Sequence, residues 1–212
     1  MIPSVDIEVD PSFPTNLTMG LPDPEDVGEE GYGCFRDVWT MGNVPRREAL
    51  AMIKEERHLM GLVDQASRTD TDFEAIAKAV ESGEVDYLPA GHTARYPDSE
   101  LVRIIDEFAD EGAPLDGLDL GVAGLTYALS CSGCFTAASC RSHRSDHSWT
   151  DHPVIFFAAE RSTVQWLTPM VRESGCGFAD GSDRGDRLLV VEAPSTRNFM
   201  DLATRITQKP RR

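Results

Sequence analysis

The chain has 212 residues, with 20 Lys and Arg against 36 Asp and Glu, a formal net charge of −16, and 41% hydrophobic residues. That hydrophobic content excludes a disordered chain, and the length suffices to bury a core without disulfides. The charge argues against a general DNA or RNA binder, whose affinity rests on cations displacing counterions from phosphates. The acid is unevenly placed. Residues 1–120 carry 27 acidic and 9 basic side chains, a net of −18, whereas residues 121–212 carry 9 acidic and 11 basic, a net of +2. An acidic first part of this kind suits a basic protein partner. The start, Met1-Ile2-Pro3-Ser4-Val5-Asp6, lacks the basic and apolar regions of a secretory signal. The longest purely apolar run, Val154 to Ala159, is far too short for a membrane span. These features lead to the expectation of a cytoplasmic protein without a membrane partner.

Val5, Ile7 and Val9 alternate with Asp6, Glu8 and Asp10, the period of an edge strand with one charged face. Residues 10–44 hold four prolines and five glycines before Pro45 and form an irregular segment, with Tyr32, Phe35 and Trp39 as candidate anchors. Pro45 opens a helix to about Ala66. Thr71-Asp72-Phe73-Glu74 has capping-box spacing and predicts a second helix, closed by Gly83. Leu101, Ile104, Ile105 and Phe108 predict a third helix to Gly112. Leu118, Val122, Leu125 and Leu129 predict a fourth, ended by Gly133.

The period then changes. Strands are predicted at Phe135 to Cys140 and at Val154 to Ala159, the second buried on both faces. Ser162-Thr163-Val164-Gln165 is a capping box for a helix through Trp166, Leu167, Met170 and Val171, kinked or restarted at Pro169 and ended by Gly175. Short strands at Cys176 to Ala179 and Leu188 to Val191 follow, flanking a polar loop, and Ser195 caps a last helix. This order predicts an α/β (α+β) fold: a mixed β-sheet with helices in residues 117–212, preceded by an acidic, largely helical part in residues 1–116.

The chemistry concentrates in Cys131-Ser132-Gly133-Cys134 and Cys140-Arg141-Ser142-His143, a C-x2-C-x5-C-x2-H pattern. Five cysteines, three within ten residues, suit a metal or thiol site better than a disulfide framework. Zinc takes four soft or borderline ligands, and pairs two residues apart fit a tight turn around one ion. Cys131, Cys134, Cys140 and His143 are therefore the expected zinc ligands, with His147 and His152 as spares. Buried structural thiols are the alternative for Cys134 and Cys140. A redox role for Cys131 and Cys134 is disfavoured because the preceding helix ends there, and its dipole opposes a thiolate. Cys140, beside Arg141 and three residues before His143, is also a candidate nucleophile, with His143 as its catalytic partner.

The stretch Thr136-Ala137-Ala138-Ser139-Cys140-Arg141-Ser142-His143 resembles the strand-ending Ser-Cys motif of the wyosine-pathway (wybutosine-synthesizing) tRNA methyltransferase family and its uncharacterised relatives. The likeness extends over residues 118–206, through a strand, a helix and Glu173-Ser174-Gly175-Cys176-Gly177-Phe178. It departs from the family pattern at Ser142 and His143. The resemblance implies S-adenosylmethionine-dependent methyl transfer, with Ser139, Cys140 and His143 lining the site and Ser139 and Arg141 meeting the cofactor. Two functional classes follow. One is a zinc-supported binding or interaction module. The other is an enzyme, either methyltransferase-like or a zinc-dependent hydrolase.

Overall fold

The structure, a computed structural model, describes residues 1–28, 31–36, 44–111, 114–143 and 150–209. The predicted anchor Trp39, the helix stop Gly112, the spare ligand His147 and the terminal residues 210–212 lie outside the described residues.

Four helices come first: α1 (Arg46–Ala66), α2 (Asp70–Ser82), the short α3 (His92–Arg95) and α4 (Glu100–Glu111). Ala49, Leu59, Met60 and Val63 of α1 meet Phe73, Ile76 and Val80 of α2 and Leu101 and Ile105 of α4 in one buried cluster. The cap of α2 is not the predicted one. Thr69 and Asp72 form the reciprocal capping box, so the helix starts two residues earlier. Glu74 is thereby released from capping and turned toward the site described below.

Helix α5 (Ala123–Cys131) is buried at eight of its nine positions. A helix apolar on all sides belongs inside, and α5 packs against both α1 and α7 (Thr196–Gln208). It starts later than the Leu118 periodicity suggests, because residues 114–117 and 120–122 form turns. At its end Gly133, with φ of 80°, turns the chain into β1 (Phe135–Cys140).

β2 (Val154–Ala158), α6 (Arg161–Glu173), β3 (Gly177–Asp180), β4 (Leu189–Glu192) and α7 complete the chain. The sheet order is β1-β2-β4-β3. The α+β class is as expected, but the sheet is antiparallel throughout rather than mixed. The reason is topological: α6 carries β3 to the far edge, and β4 returns by a hairpin into the gap between β2 and β3. Ser195 caps α7 as predicted, its side chain accepting from the Arg197 N–H. The capping box expected for α6 is absent; the helix begins at Arg161 without a side-chain cap and runs through Pro169.

Alternate residues of β2 face opposite ways. Ile155 and Phe157 join Leu125 and Leu129 of α5, Leu167 of α6 and Phe199 of α7. Val154, Phe156 and Ala158 face the other side, where Tyr32 and Phe35 of the irregular segment cover the sheet. The first ten residues adopt no regular secondary structure and form no ladder strand. Val5, Ile7 and Val9 are half-buried and the intervening acids exposed, with single hydrogen bonds from Val5 N–H to Pro194 and from Phe178 N–H to Asp10. The predicted alternation is present without the pairing.

Candidate metal centre

β1 delivers Cys140, Arg141 and His143 to one end of the sheet. The predicted four-ligand set does not converge there, and the cause is β1 itself. Six residues of strand at ~3.3 Å each put Cys134 about 20 Å from Cys140. Cys134 is buried in the cluster with α6 and α7, and Cys140 belongs to the opposite face of the sheet. Cys131 packs against the helical cluster, where burial raises its thiol pKa. None of the five cysteines forms a disulfide. His152 pairs instead with Glu192 at 3.1 Å.

What the fold does assemble is Asp119, Cys140 and His143, whose ligand atoms all lie within 4.8 Å of one another. Asp119 comes from the turn before α5. Gly121, with φ of 99°, shapes that turn, and a side chain there would strike Thr196. Asp119 Oδ2 accepts from the Arg141 backbone N–H at 3.1 Å and lies 3.0 Å from His143 Nε2. The Ser142 N–H donates to Cys140 Sγ at 3.3 Å, a bond that favours a thiolate. It is made possible by φ of 70° at Ser142, an uncommon conformation for a residue with a Cβ.

Glu74 completes the imidazole's surroundings, its Oε1 lying 3.2 Å from Nδ1. A carboxylate on the far ring nitrogen is the arrangement that orients metal-bound histidines. Without a metal the same two carboxylates, Asp119 first and Glu74 second, hold the His143 pKa up to about 9 against its burial. Burial works against the charge on Glu74, but its hydrogen bonds from His143 and Arg141 bring it down to about 2. Burial likewise works against the charge on Asp119, but the hydrogen bond and charge of His143, together with the Arg141 N–H and guanidinium, outweigh it and lower its pKa.

Arg141 turns its side chain to the acids of α2. Its side chain is 2% exposed and is spent on two acids: Nη1 and Nη2 donate to Glu74 at 2.6 and 3.1 Å, and Nε and Nη2 donate to Glu81 at 2.7 and 3.2 Å. A guanidinium is suited to this two-sided grip because its donors form a rigid planar fork. Ser139 does face open space. It lines a cleft of about 330 Å³ together with Thr136, Thr126, Phe35 and Asp119, so the cleft and the three-residue cluster share Asp119.

Cys140 and His143 stand out in the sequence, whereas Asp119, Glu74 and Glu81 do not. Glu74 carried a signal that pointed elsewhere, to a helix cap. Glu74 and Glu81 are seven residues apart, two helical turns, which places them on one face of α2. Asp119 had no local signal at all. Among the described residues, no helix is long and apolar enough to cross a membrane. No protein family, curated protein or solved structure matches the chain.

Proposed function

We propose that the chain binds zinc through Asp119 Oδ, Cys140 Sγ and His143 Nε2, with a fourth position open to water or a substrate, and that it acts as a zinc-dependent hydrolase-like enzyme. The observation that carries this reading is the cluster of one carboxylate, one thiol and one imidazole within 4.8 Å. Oxygen, nitrogen and sulfur donors together suit zinc better than magnesium or calcium. Among the described residues three ligands come together, and three protein ligands with a free position define a catalytic rather than a structural zinc site. Electrostatics agree. A dication that displaces one proton from His143 and one from the Cys140 thiol leaves the charge of the cluster unchanged. Bound there, the metal would supply a Lewis acid and an activated water. Asp119 and His143 would hold the ion, Glu74 would fix the imidazole, and the Ser142 N–H would stabilise the thiolate.

Metal analysis and cobalt substitution test this. One equivalent of zinc is expected, and the cobalt protein is expected to show a thiolate charge-transfer band. Cys140→Ser should abolish the band, while Cys131→Ser and Cys134→Ser should leave it. A wild-type protein that takes up no stoichiometric zinc or cobalt would refute the proposal. A methyltransferase reading draws on a separate observation, the placement of Ser139 in the cleft wall. Calorimetric titration with S-adenosylmethionine checks it, and an absence of binding heat or thermal protection removes it.

A further inference from the structure

We propose that Glu81 is the positioning residue of this metal centre: one carboxylate that ties the two ligand-bearing segments together. The inference rests on the metal reading above and assigns a role to a residue that touches none of the three ligands.

The two segments are far apart in sequence. Asp119 lies in the turn before α5, and Cys140 and His143 lie at the end of β1. Glu81, in the last turn of α2, bonds to both. Its Oε1 accepts from the Leu120 N–H at 2.7 Å, one residue after Asp119. The same oxygen accepts from Arg141 Nε at 2.7 Å, one residue after Cys140 and two before His143. The second oxygen takes Arg141 Nη2 at 3.2 Å. The Glu81 side chain is 13% exposed and that of Arg141 2%, so neither bond is freely exchanged for water.

Glu81 also decides how much of Glu74 is left for His143. Arg141 is the shared cation between the two carboxylates. With Glu81 in place, the guanidinium divides its donors, and Glu74 Oε1 lies within reach of both Arg141 Nη2 and His143 Nδ1. Remove the Glu81 charge, and Glu74 is the one acid, among the described residues, left hydrogen-bonded to the buried guanidinium. Glu74 is then drawn toward Arg141 and away from the imidazole. Loss of Glu81 therefore acts on the metal centre twice: it releases the Asp119 turn, and it disturbs the carboxylate that orients His143. Outer partners of metal ligands usually change affinity by about 10–100-fold.

The test uses Glu81→Gln, nearly the same shape without the charge, and Leu59→Ala, a buried α1 residue outside the cluster, as a destabilised control. In metal-free protein, amide hydrogen exchange should rise in residues 119–121 and 140–143 together in Glu81→Gln, and in neither segment selectively in Leu59→Ala. In cobalt titrations of folded protein, Glu81→Gln should bind about 10–100-fold more weakly with an altered thiolate band, and Leu59→Ala should bind as the wild type does. Equal cobalt affinity in Glu81→Gln and wild type, or faster exchange in only one of the two segments, overturns the role of Glu81. A wild type that binds no cobalt refutes the metal reading instead, and the exchange experiment still decides whether Glu81 ties the segments together. If Glu81→Gln fails to fold, Glu81→Asp takes its place. Its shortened side chain should keep the Arg141 pair and lose the Leu120 bond, so exchange should rise at 119–121, and an unchanged rate there overturns the role.

Discussion

Glu56, on α1, is 1% exposed and accepts from the Gly121 and Gly124 N–H groups at 3.0 and 3.1 Å, at the start of α5. Burial dominates those bonds and pushes its pKa from 4.5 up to about 7. A carboxyl with a raised folded pKa stabilises fully below its unfolded pKa, and the contribution is lost as pH rises through the folded value. The window here is therefore pH 4.5 to about 7. Two and a half units at ~1.4 kcal/mol each make a loss of about 3 kcal/mol across that window. The perturbation is Glu56→Gln, which keeps an acceptor for the two N–H groups and cannot ionise. Urea unfolding of both proteins from acid to neutral pH measures the effect. At acid pH the two should differ by only about 1 kcal/mol, since a neutral acid and an amide are similar guests. The variant should then gain on the wild type by about 3 kcal/mol as pH approaches neutrality, and the difference should be flat above pH 7. A difference that stays constant within about 0.5 kcal/mol over the whole range would refute the reasoning, because Glu56 would then ionise as easily folded as unfolded.

Three further outcomes are expected. Gly124→Ala places a Cβ 2.5 Å from Glu56 Oε2 and 3.2 Å from Ile53 Cγ1, so it should cost about 2 kcal/mol despite the better helix propensity of alanine; a stabilised variant in thermal unfolding would contradict this packing. Arg141→Ala leaves Glu74 and Glu81 without their cation and should cost about 4 kcal/mol by chemical denaturation, and Arg141→Lys should recover only part of it, lacking the planar fork; full recovery with lysine would show that charge alone matters. In metal-free protein, His143 has its pKa raised to about 9, so its stabilisation is complete below 6.5 and is lost as pH rises through 9. His143→Asn should remove that alkaline slope, and zinc, which must displace the same proton and one from the Cys140 thiol as well, should bind at least about tenfold more tightly per pH unit up to 9; an affinity independent of pH would count against His143 as a ligand.

Much of the scaffold is legible from local pattern. The strand from Phe135 to Cys140 has the predicted bounds, and α1 and α7 fall within a residue or two of their expected starts. Such elements follow from short-range periodicity and caps, which each stretch carries within itself. Capping is less reliable where several candidates lie close together. Thr71 has a partner three residues on, but Thr69 takes the cap, and packing of Phe73 and Ile76 against α1 accompanies the earlier start. The four-residue set Cys131, Cys134, Cys140 and His143 does not come together, because close spacing in sequence is not proximity in space. In a turn, five intervening residues can close on one ion, but in a strand they separate its ends.

By itself the sequence determined that this is an α+β chain with a thiol and an imidazole at one strand end, and that its acid is concentrated before residue 121. Only the tertiary structure decided which acids matter. Glu74, Glu81 and Asp119, all from the acidic part, converge on Arg141 and His143 from the near-neutral part, 22 to 69 residues away in sequence. The physical reason is that charge pairing acts through space and leaves no periodic trace. A helix face or a strand advertises itself every two to four residues, but a buried ion pair between distant segments exists only once the chain has folded around it.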